Sequence, residues 1–224
     1  IDRKLGARDR VVTPGESLDR AVREASSGGS SPDGVRLYLA PGRYFVKGST
    51  PIQLAVSNLH IIASAPGQSI VTRSDDDAGR TMFTVSGDEC SLTGIVFDDT
   101  NVSVSGARGA AIAITGDKCT VANCVFTQAV QAISSSGDYT TITGNRVRSV
   151  TDASAIQLTT SASLALVYGN IIQDTGVTTA IYADDAVSKS SFVGNVAAAA
   201  NAISYKTGLS NVNAGNVGTV TVRP

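Results

Sequence analysis

The chain has 224 residues, 42% of them hydrophobic and 17% charged, and its formal net charge is −1. This size suffices for one well-buried domain, while the near balance of charge excludes a basic face for nucleic acid and a strongly acidic partner. Glycine is abundant, tryptophan is absent and no run of 18 apolar residues occurs, which favours short strands and turns and excludes a membrane-spanning helix.

The first segment, residues 1–12, reads IDRKLGARDRVV and is dense in charge without a period. We interpret it as a linker or arm that leads in from an upstream region. A capping helix and its loop are predicted over residues 13–34, and all later residues are expected to form strands and turns.

The helix itself is predicted over residues 13–27. Its start is the stretch Thr13-Pro14-Gly15-Glu16, with Thr at the N-cap, Pro at the first helical position and Glu at N3, as in a capping box. Its apolar face has the spacing i, i+3, i+4 and i+7, and Gly28-Gly29 ends it. A lone amphipathic helix has to pack on something, so we expect it to cover one end of the strands.

Residues 35–224 contain two series of similar segments that recur with the same drifting period. One series is an apolar strand and the other is a turn ending in Gly-Asn, and both recur every 21 to 25 residues. The strands begin at Ala111, Ala132, Ala155, Ala180 and Ala202, and the turns contain Asn145, Asn170, Asn195 and Asn216. This period predicts an all-β fold, a parallel β-helix of about eight coils that lie about 4.8 Å apart.

Stacking of the coils predicts which side chains point inward. Leu92, Val121, Ile142, Val167 and Phe192 share one inward column, and Phe97, Phe126, Val147 and Ile172 share another. The same alternation buries Cys90 and Cys119, which we expect to be stacked and reduced rather than joined by a disulfide. The turn asparagines, with Cys124 in the equivalent position, are expected to pass amide hydrogen bonds from coil to coil.

Metal and cofactor sites are not predicted. The three cysteines and the single histidine, His60, form neither a C-x-x-C motif nor a Cys/His cluster, and we interpret His60 as structural. The Gly-Asp pairs at Asp88, Asp117 and Asp138 are interpreted as turn residues. A calcium ladder is the alternative for these acids, although acids without further oxygen ligands make a poor calcium site.

Two N-terminal stretches carry a family resemblance, GVRLYLAPGRYFV at residues 34–46 and SNLHIIASAPGQSIV at residues 57–71. They resemble the opening of the pectate-lyase-like right-handed β-helix superfamily, in which a capping helix precedes a strand with a Pro-Gly-x-Tyr-like turn. The layout is similar to phage tailspikes and related virion proteins, and to secreted polysaccharide lyases and hydrolases. The resemblance implies a right-handed β-helix, but this fold hosts many chemistries.

The resemblance also indicates where catalytic acids would stand. In similar polygalacturonase-type hydrolases, acids come just before the inward apolar residue of the Ala-Ile strands. Here one such column reads Ala110, Gln131, Ser154, Thr179 and Asn201, and the one before it reads Gly109, Val130, Ala153, Thr178 and Ala200. Hydrolysis of a glycosidic bond needs two carboxyl groups about 5–10 Å apart, so we predict no catalytic residue. Asp184-Asp185 is interpreted as a surface pair, with Asp184 in a salt bridge to Lys206.

A ligand-binding patch is predicted around an outward tyrosine. Tyr182 with Gln157, Asp184 and Lys206 is the best combination of aromatic and polar side chains on the outside of the coils. Arg146 and Arg148 lie on one strand, both pointing outward, and are predicted contacts for an acidic sugar.

An outward apolar stripe is predicted in the column that follows the asparagines. It contains Val96, Val125, Ile171, Val196 and Val217, with Arg146 as a charged member. Residues 186–224 also hold three basic residues and no acid, which is unusual for a solvated surface. We expect the stripe to be the contact of a homo-oligomer, a trimer by resemblance to phage spikes, continued C-terminally by another domain or chain.

Three functions stay open at this point. The first is a virion spike or tail-fibre domain, structural and binding a host surface glycan, on the virion or outside the cell. The second is a polysaccharide lyase or glycoside hydrolase, and the third is a bacterial secreted or surface adhesin. The missing acids favour the first over the second, and neither nucleic acid binding nor membrane insertion is expected.

Overall fold

The computed structural model describes residues 9–28, 34–46, 50–73, 81–99, 109–150, 154–159, 162–173, 177–199, 201–206 and 210–223. In this part of the chain, the backbone winds as a right-handed parallel β-helix with one short α-helix, so the predicted fold is confirmed. Three parallel sheets, here called A, B and C, run the length of the β-helix.

The strands are numbered in chain order and fall into the three sheets as follows. Sheet A contains β1 (Arg10–Val12), β2 (Val35–Leu39), β5 (Leu59–Ala63), β8 (Ser91–Thr93), β11 (Thr120–Ala122), β14 (Thr141–Thr143), β17 (Leu166–Tyr168), β20 (Ser191–Val193) and β23 (Val212–Ala214). Sheet B contains β3 (Gly42–Val46), β6 (Ser69–Arg73), β9 (Val96–Asp98), β12 (Val125–Thr127), β15 (Arg146–Arg148), β18 (Ile171–Gln173) and β21 (Val196–Ala197). Sheet C contains β4 (Ile52–Leu54), β7 (Phe83–Val85), β10 (Ala110–Ile114), β13 (Gln131–Ser135), β16 (Ser154–Leu158), β19 (Thr179–Ala183), β22 (Asn201–Lys206) and β24 (Val220–Arg223).

Each coil runs from sheet A to sheet B and then to sheet C. Among the described residues, seven coils have a strand in all three sheets, and an eighth contributes β23 and β24. Strand β1 pairs with β2 at the N-terminal edge of sheet A, and Val12 is fully buried. The interpretation of residues 1–12 as a linker is therefore wrong for residues 10–12, because burial of Val12 and pairing with β2 fix them to the sheet. Residues 1–8 lie outside the described residues.

The helix α1 spans Leu18–Ser27, so the prediction that it begins at residue 13 is wrong. The cause is Gly15, whose φ of +98° lies far from the right-handed helical region. Ser17 is the N-cap instead, and its Oγ accepts a hydrogen bond from the backbone N–H of Arg20 at 3.2 Å. At the other end, Gly28 is the C-cap, as predicted.

The Thr13 to Glu16 motif closes a turn in front of the helix. The backbone N–H of Thr13 donates to Glu16 Oε2 at 2.6 Å, and Arg10 donates to Glu16 Oε1 at 2.8 Å. These two donors lower the pKa of Glu16 to about 2, so the carboxylate stays charged at neutral pH. Only half of the capping box forms, because the Glu16 backbone N–H donates to the Thr13 carbonyl rather than to its hydroxyl, and this half-box closes a turn in front of the helix.

The helix covers the N-terminal end of the β-helix, as predicted. Its buried residues are Leu18, Ala21 and Val22, and it contacts β2, β3 and β4, which belong to three different sheets. Burying apolar side chains over the open end removes that end of the core from water. No helix among the described residues is long and apolar enough to span a bilayer.

The core consists of inward columns, one rung for each coil. Both predicted columns are buried, and sheet C adds a third column of isoleucines, formed by Ile112, Ile133, Ile156, Ile181 and Ile203. Aromatic rings follow the same order, because Phe97 and Phe126 stack with ring centroids 5.0 Å apart. Equivalent residues therefore pack on one another as the repeat period predicts.

An asparagine ladder joins the coils at the corner between sheets A and B. Asn170 Oδ1 accepts the backbone N–H and the side-chain Nδ2–H of Asn145, each at 3.0 Å. The same two bonds connect Asn170 to Asn195 and Asn195 to Asn216, and Asn145 accepts from the backbone N–H of Cys124 at 2.9 Å. The predicted ladder is confirmed, and it satisfies polar groups that would otherwise be buried without partners.

A second ladder lies at the corner between sheets C and A, where the Gly-Asp pairs recur. Asp88 Oδ1 accepts the backbone N–H of Asp117 at 2.8 Å, and Asp117 Oδ1 accepts that of Asp138 at 2.9 Å. Gly137 must lack a side chain, since a Cβ there would come within 2.0 Å of the Gly116 carbonyl oxygen. These bonds support the interpretation of the three acids as turn residues. Among the described residues, no three His, Cys, Asp or Glu side chains are grouped as metal ligands.

The three cysteines are buried and carry no disulfide, as predicted. Cys90 Sγ donates to the Val56 carbonyl and Cys119 Sγ to the Gly87 carbonyl, each at 3.2 Å. Burial raises the pKa of the Cys124 thiol to about 12, which keeps it protonated and unreactive.

Inward positions of the last described coil hold smaller or more polar residues than those of the coil before it. Asn213 takes the column position held by Phe192 one coil earlier, and Gly218 follows Ala197 in the inward column of sheet B. The Tyr205 ring stacks on Phe192, with ring centroids 5.9 Å apart. Small and polar residues therefore replace the large apolar ones at this end, and an aromatic ring lies across the remaining core.

We expect the substitution Asn170→Ala to lower the free energy of unfolding by at least about 2 kcal/mol, because it leaves several buried donors and acceptors unpaired at about 1–3 kcal/mol each. Urea unfolding followed by circular dichroism measures this change. Gln173→Ala, on the outward side of the neighbouring strand, is the control and should change stability by less than about 0.5 kcal/mol. Equal losses in the two variants would contradict a structural role of the ladder.

Candidate functional site

The predicted ligand patch lies on the outward face of sheet C. Gln157 pairs with Tyr182, and Tyr182 pairs with Ser204, so these residues stack on three successive coils. The Gln131 Nε2–H group donates to Gln157 Oε1 and to Ser154 Oγ, each at 3.1 Å. The amide of Gln157 is thereby held in one orientation before any ligand arrives.

Arg223 joins this patch, and the sequence analysis missed it. Its Nη1 donates to the Tyr182 hydroxyl at 2.7 Å, and its guanidinium carbon lies 4.5 Å from the centre of the Tyr182 ring. Its Nη2 donates to the Ala183 carbonyl. The Arg223 guanidinium thus bonds to the Tyr182 hydroxyl and lies over one face of the Tyr182 ring. Arg223 therefore fixes the orientation of the tyrosine side chain.

The predicted salt bridge between Asp184 and Lys206 does not form. Arg223 Nη1 instead contacts Asp185 Oδ1 at 2.9 Å, so the second acid of the pair is the one in an ion pair. Asp184 lies in the turn after β19, where its carbonyl accepts the backbone N–H of Val187 at 3.0 Å. Of the predicted patch, Gln157 and Tyr182 are therefore brought together, and Asp185 and Arg223 complete the cluster.

Arg146 and Arg148 point outward from β15, as predicted, but they lie on sheet B. Their neighbours along the sheet are Val125 and Ile171 for Arg146, and Thr127 and Gln173 for Arg148. The two arginines and the tyrosine patch therefore occupy different faces and do not form one site. Contact of these arginines with an acidic sugar stays a separate prediction.

The column where similar polygalacturonase-type hydrolases would carry acids is in register, and its described members hold no carboxylate. Ala110 pairs with Gln131, and Ser154 and Asn201 both pair with Thr179. Most of these side chains are buried, and their hydroxyl and amide groups bond within the sheet, as Asn201 Oδ1 does with Thr221 Oγ1 at 2.7 Å. The described part of this face therefore offers hydroxyl and amide groups rather than a general acid and base.

One carboxyl group with a raised pKa lies outside this face. Burial raises the pKa of Asp99 to about 6, against the opposing effect of Arg73, whose Nε lies 3.6 Å from Asp99 Oδ1. Both side chains are buried. We interpret the two residues as a structural ion pair at the end of β6 and β9, because only 1% of the Arg73 and 5% of the Asp99 side-chain surface is exposed.

His60 lies on sheet A, and its Nδ1 is 2.9 Å from Ser91 Oγ. Burial lowers the pKa of the His60 ring, and the neighbouring Arg36 lowers it further. The ring is therefore neutral at pH 7 and hydrogen-bonded within its own sheet, in agreement with the interpretation of His60 as a structural residue.

The predicted apolar stripe is a continuous outward column of sheet B. Val96, Val125, Arg146, Ile171, Val196 and Val217 are paired in this order along the sheet. Exposure rises along the column, since the first three apolar members are half-buried while Val196 is 39% and Val217 60% exposed. The outward orientation is thus as predicted, and the use of the column as a subunit contact stays a prediction.

Comparison with known proteins identifies the fold and leaves the function open. No protein-family model matches the chain, and no curated sequence is similar to it. A solved structure of the catalytic domain of a GH87 α-1,3-glucanase in complex with nigerose is similar to it, with a TM-score of 0.71 and 15% identity over 93% of this chain and 44% of the other. PfbA, a surface adhesin of Streptococcus pneumoniae, gives a TM-score of 0.69 and 14% identity over 89% and 57%.

A third similar structure is the alginate lyase AlyF-OU02 in complex with G6, with a TM-score of 0.65 and 18% identity over 96% of this chain and 52% of the lyase. The chain thus spans about half the length of these three proteins. At such low identity, the likeness establishes the parallel β-helix fold that the sequence resemblance implied, and nothing about activity.

The neutral state of His60 gives the protein a pH-dependent stability. Because the pKa of His60 is lowered in the folded state, the unfolded chain binds a proton first as pH falls through about 6.5, and the free energy of unfolding decreases. His60→Asn, which keeps a polar group beside Ser91, should show a smaller loss between pH 7 and pH 5 in urea unfolding. Identical pH dependences of wild type and variant would contradict this assignment.

Proposed function

We propose that the chain is a non-catalytic, glycan-binding β-helix domain of a virion spike or tail fibre, and that sheet C carries its glycan site. The observation behind this proposal is the outward surface formed by Gln157 and Tyr182, in which an amide held by Gln131 lies beside an aromatic ring fixed by Arg223. Sugars present hydroxyl groups and apolar ring faces, and such surfaces bind them through hydrogen bonds and aromatic contact.

The site favours binding over cleavage. The column of Gln131, Ser154 and Thr179 contains no acid. The carboxylate of Asp185, beside the patch, is paired with Arg223. A glycosidase needs a protonated and an ionised carboxyl group on opposite sides of one bond. The proposed role therefore depends on a preformed surface that holds a polysaccharide without hydrolysing it.

Similar structures give general support for a glycan ligand. One is a glucanase in complex with nigerose and another is an alginate lyase, whereas PfbA is a surface adhesin. Location on a virion is proposed from the resemblance of the N-terminal layout to tailspikes, and an extracellular location suits the adhesin alternative as well. The likeness to PfbA favours that alternative as the second candidate, with the same sheet C site.

Glycan binding is tested with purified protein and a panel of immobilised capsular, lipopolysaccharide-derived and cell-wall polysaccharides by biolayer interferometry. We expect binding to at least one of them, and a loss of affinity of roughly 2–12-fold in Tyr182→Ala, since an aromatic contact contributes about 0.5–1.5 kcal/mol. Tyr139→Ala, which removes an exposed tyrosine from the turn before β14, outside both proposed surfaces, is the matched control. Equal binding by both variants would contradict the site, and absence of binding across the panel would contradict the function.

The absence of cleavage is tested separately. Wild-type protein incubated with polygalacturonate, alginate and α-1,3-glucan should release no reducing ends and no unsaturated products above a heat-denatured control. Activity that disappears in an Asp184→Asn, Asp185→Asn double variant would overturn the proposal in favour of a depolymerase. The adhesin and spike alternatives are distinguished by locating the protein with antibodies on virions or on cell surfaces.

A further inference from the structure

An apolar surface occupies the corner between sheets A and B in the last three coils. On the sheet A side it consists of Leu166, Tyr168, Val193 and Val212, and on the sheet B side of Ile171, Val196 and Val217. We call these seven residues the corner surface. All except the half-buried Ile171 are 37–60% exposed. Only the Gly-Asn dipeptide separates the two sides, for example Val193 from Val196, so the surface is continuous around the corner.

The sequence analysis predicted an apolar stripe on the sheet B side only, and the sheet A side extends it around the corner. Outward residues on β8, β11, β14, β17, β20 and β23 include no charged side chain; they are Ser91, Thr93, Thr120, Ala122, Thr141, Thr143, Leu166, Tyr168, Ser191, Val193, Val212 and Ala214. At the chain's overall charged fraction of 17%, about two of these twelve positions would be expected to carry a charge. A face of this kind is typical of a surface that is covered in the assembled protein.

The charge distribution narrows the choice of occupant. Neither side of the corner surface carries a charge, and residues 186–224 contain three basic residues and no acid. A strongly charged partner such as a nucleic acid or an acidic protein would find no matching group there. An uncharged apolar face is matched best by another one, and each copy of this chain carries two such faces side by side.

The shape of the surface restricts how copies can be arranged. A convex corner that points at a symmetry axis parallel to the β-helix axis occupies a wedge, and n copies fill the circle with wedges of 360°/n. Two copies can pack through one flat side only and leave the other side exposed, so burial of both sides around one axis requires at least three. In such a ring, sheet A of one copy packs on sheet B of the next, which is a heterologous contact closed by rotation.

We infer that the corner surface is the subunit contact of a cyclic homo-oligomer of at least three copies, in which the sheet A side of each copy packs against the sheet B side of its neighbour. This arrangement buries the exposed apolar residues of the last three coils and aligns the coils of all subunits in parallel. Sheet C points away from the axis, so the proposed glycan patch stays accessible on every subunit. The inference does not depend on the identity of any ligand.

The test uses two double variants that each block one side. Val193→Asp, Val212→Asp blocks the sheet A side, and Val196→Asp, Val217→Asp blocks the sheet B side; all four residues point outward and are at least 38% exposed. Thr84→Asp, an outward position of sheet C, is the control. Mass photometry and light scattering give the mass of each protein alone and of an equimolar mixture of the two blocked proteins.

We expect wild type and the control to have at least three times the chain mass of 22.9 kDa, and each double variant to be a monomer. The mixture should form a discrete dimer of about twice 22.9 kDa, because one sheet A side and one sheet B side stay intact and only one contact can form. A monomeric or dimeric wild type, an oligomer that persists in either double variant, or a mixture that stays monomeric would each overturn the inference.

Folding of the variants is checked by circular dichroism melting. If an Asp variant does not fold, the corresponding Val→Ser double variants replace it, since serine removes apolar area from the same positions without adding charge. If the ring forms but no glycan binds, the proposed function is wrong and this inference stands. If a glycan binds but no ring forms, this inference is wrong and the proposed function stands.

Discussion

Main-chain hydrogen bonding between successive coils is the constraint on which the rest of this structure depends. Each strand pairs in parallel with the equivalent strand of the next coil, so a residue's position within the coil decides its surroundings in every repeat. From β8 onward, the corner between sheets A and B has the same two-residue length in every coil. The asparagine ladder keeps this shape, because Asn145 accepts the backbone N–H of Cys124, and Asn170 accepts the backbone and side-chain N–H groups of Asn145.

This constraint explains why columns were the most predictable feature of the protein. A repeat period read from the sequence fixes which residues share a column, and an alternation of apolar residues fixes which columns are buried. Leu92 and Phe97 could thus be assigned to the core, and Asn170 to a ladder, without any knowledge of the structure. The prediction that Cys90 and Cys119 are buried follows from the same reasoning and is confirmed by the structure.

Features that do not repeat were harder to predict. The helix start was misplaced because the Thr13 to Glu16 motif is compatible with a turn as well as with a helix, and only the positive φ of Gly15 decides between them. Strand β1 has three residues and belongs to no repeated segment of the sequence, so its pairing with β2 could not be predicted. Arg223 was missed because it is 41 residues from Tyr182 and reaches it across β22, over the buried Ser204.

The three faces of the β-helix differ in chemistry although they share one backbone geometry. Sheet C presents hydroxyl and amide groups around Tyr182, sheet B combines an apolar column with Arg146 and Arg148, and sheet A presents uncharged residues on six successive strands. Because outward positions have no role in the core, each column is free to vary without changing the fold. Separate faces can therefore serve ligand binding and assembly in the same few coils.

The contact between Arg223 and Tyr182 connects the ligand patch to the last strand of the fold. Inward positions of the last coil hold Asn213 and Gly218, so this coil buries little apolar surface and should open locally at a lower free energy cost than the coils before it. When β24 opens, the tyrosine loses the group that orients it. Under the proposed function, occupancy of the patch and order of β24 are thermodynamically linked, and a bound glycan should slow amide hydrogen exchange in β24.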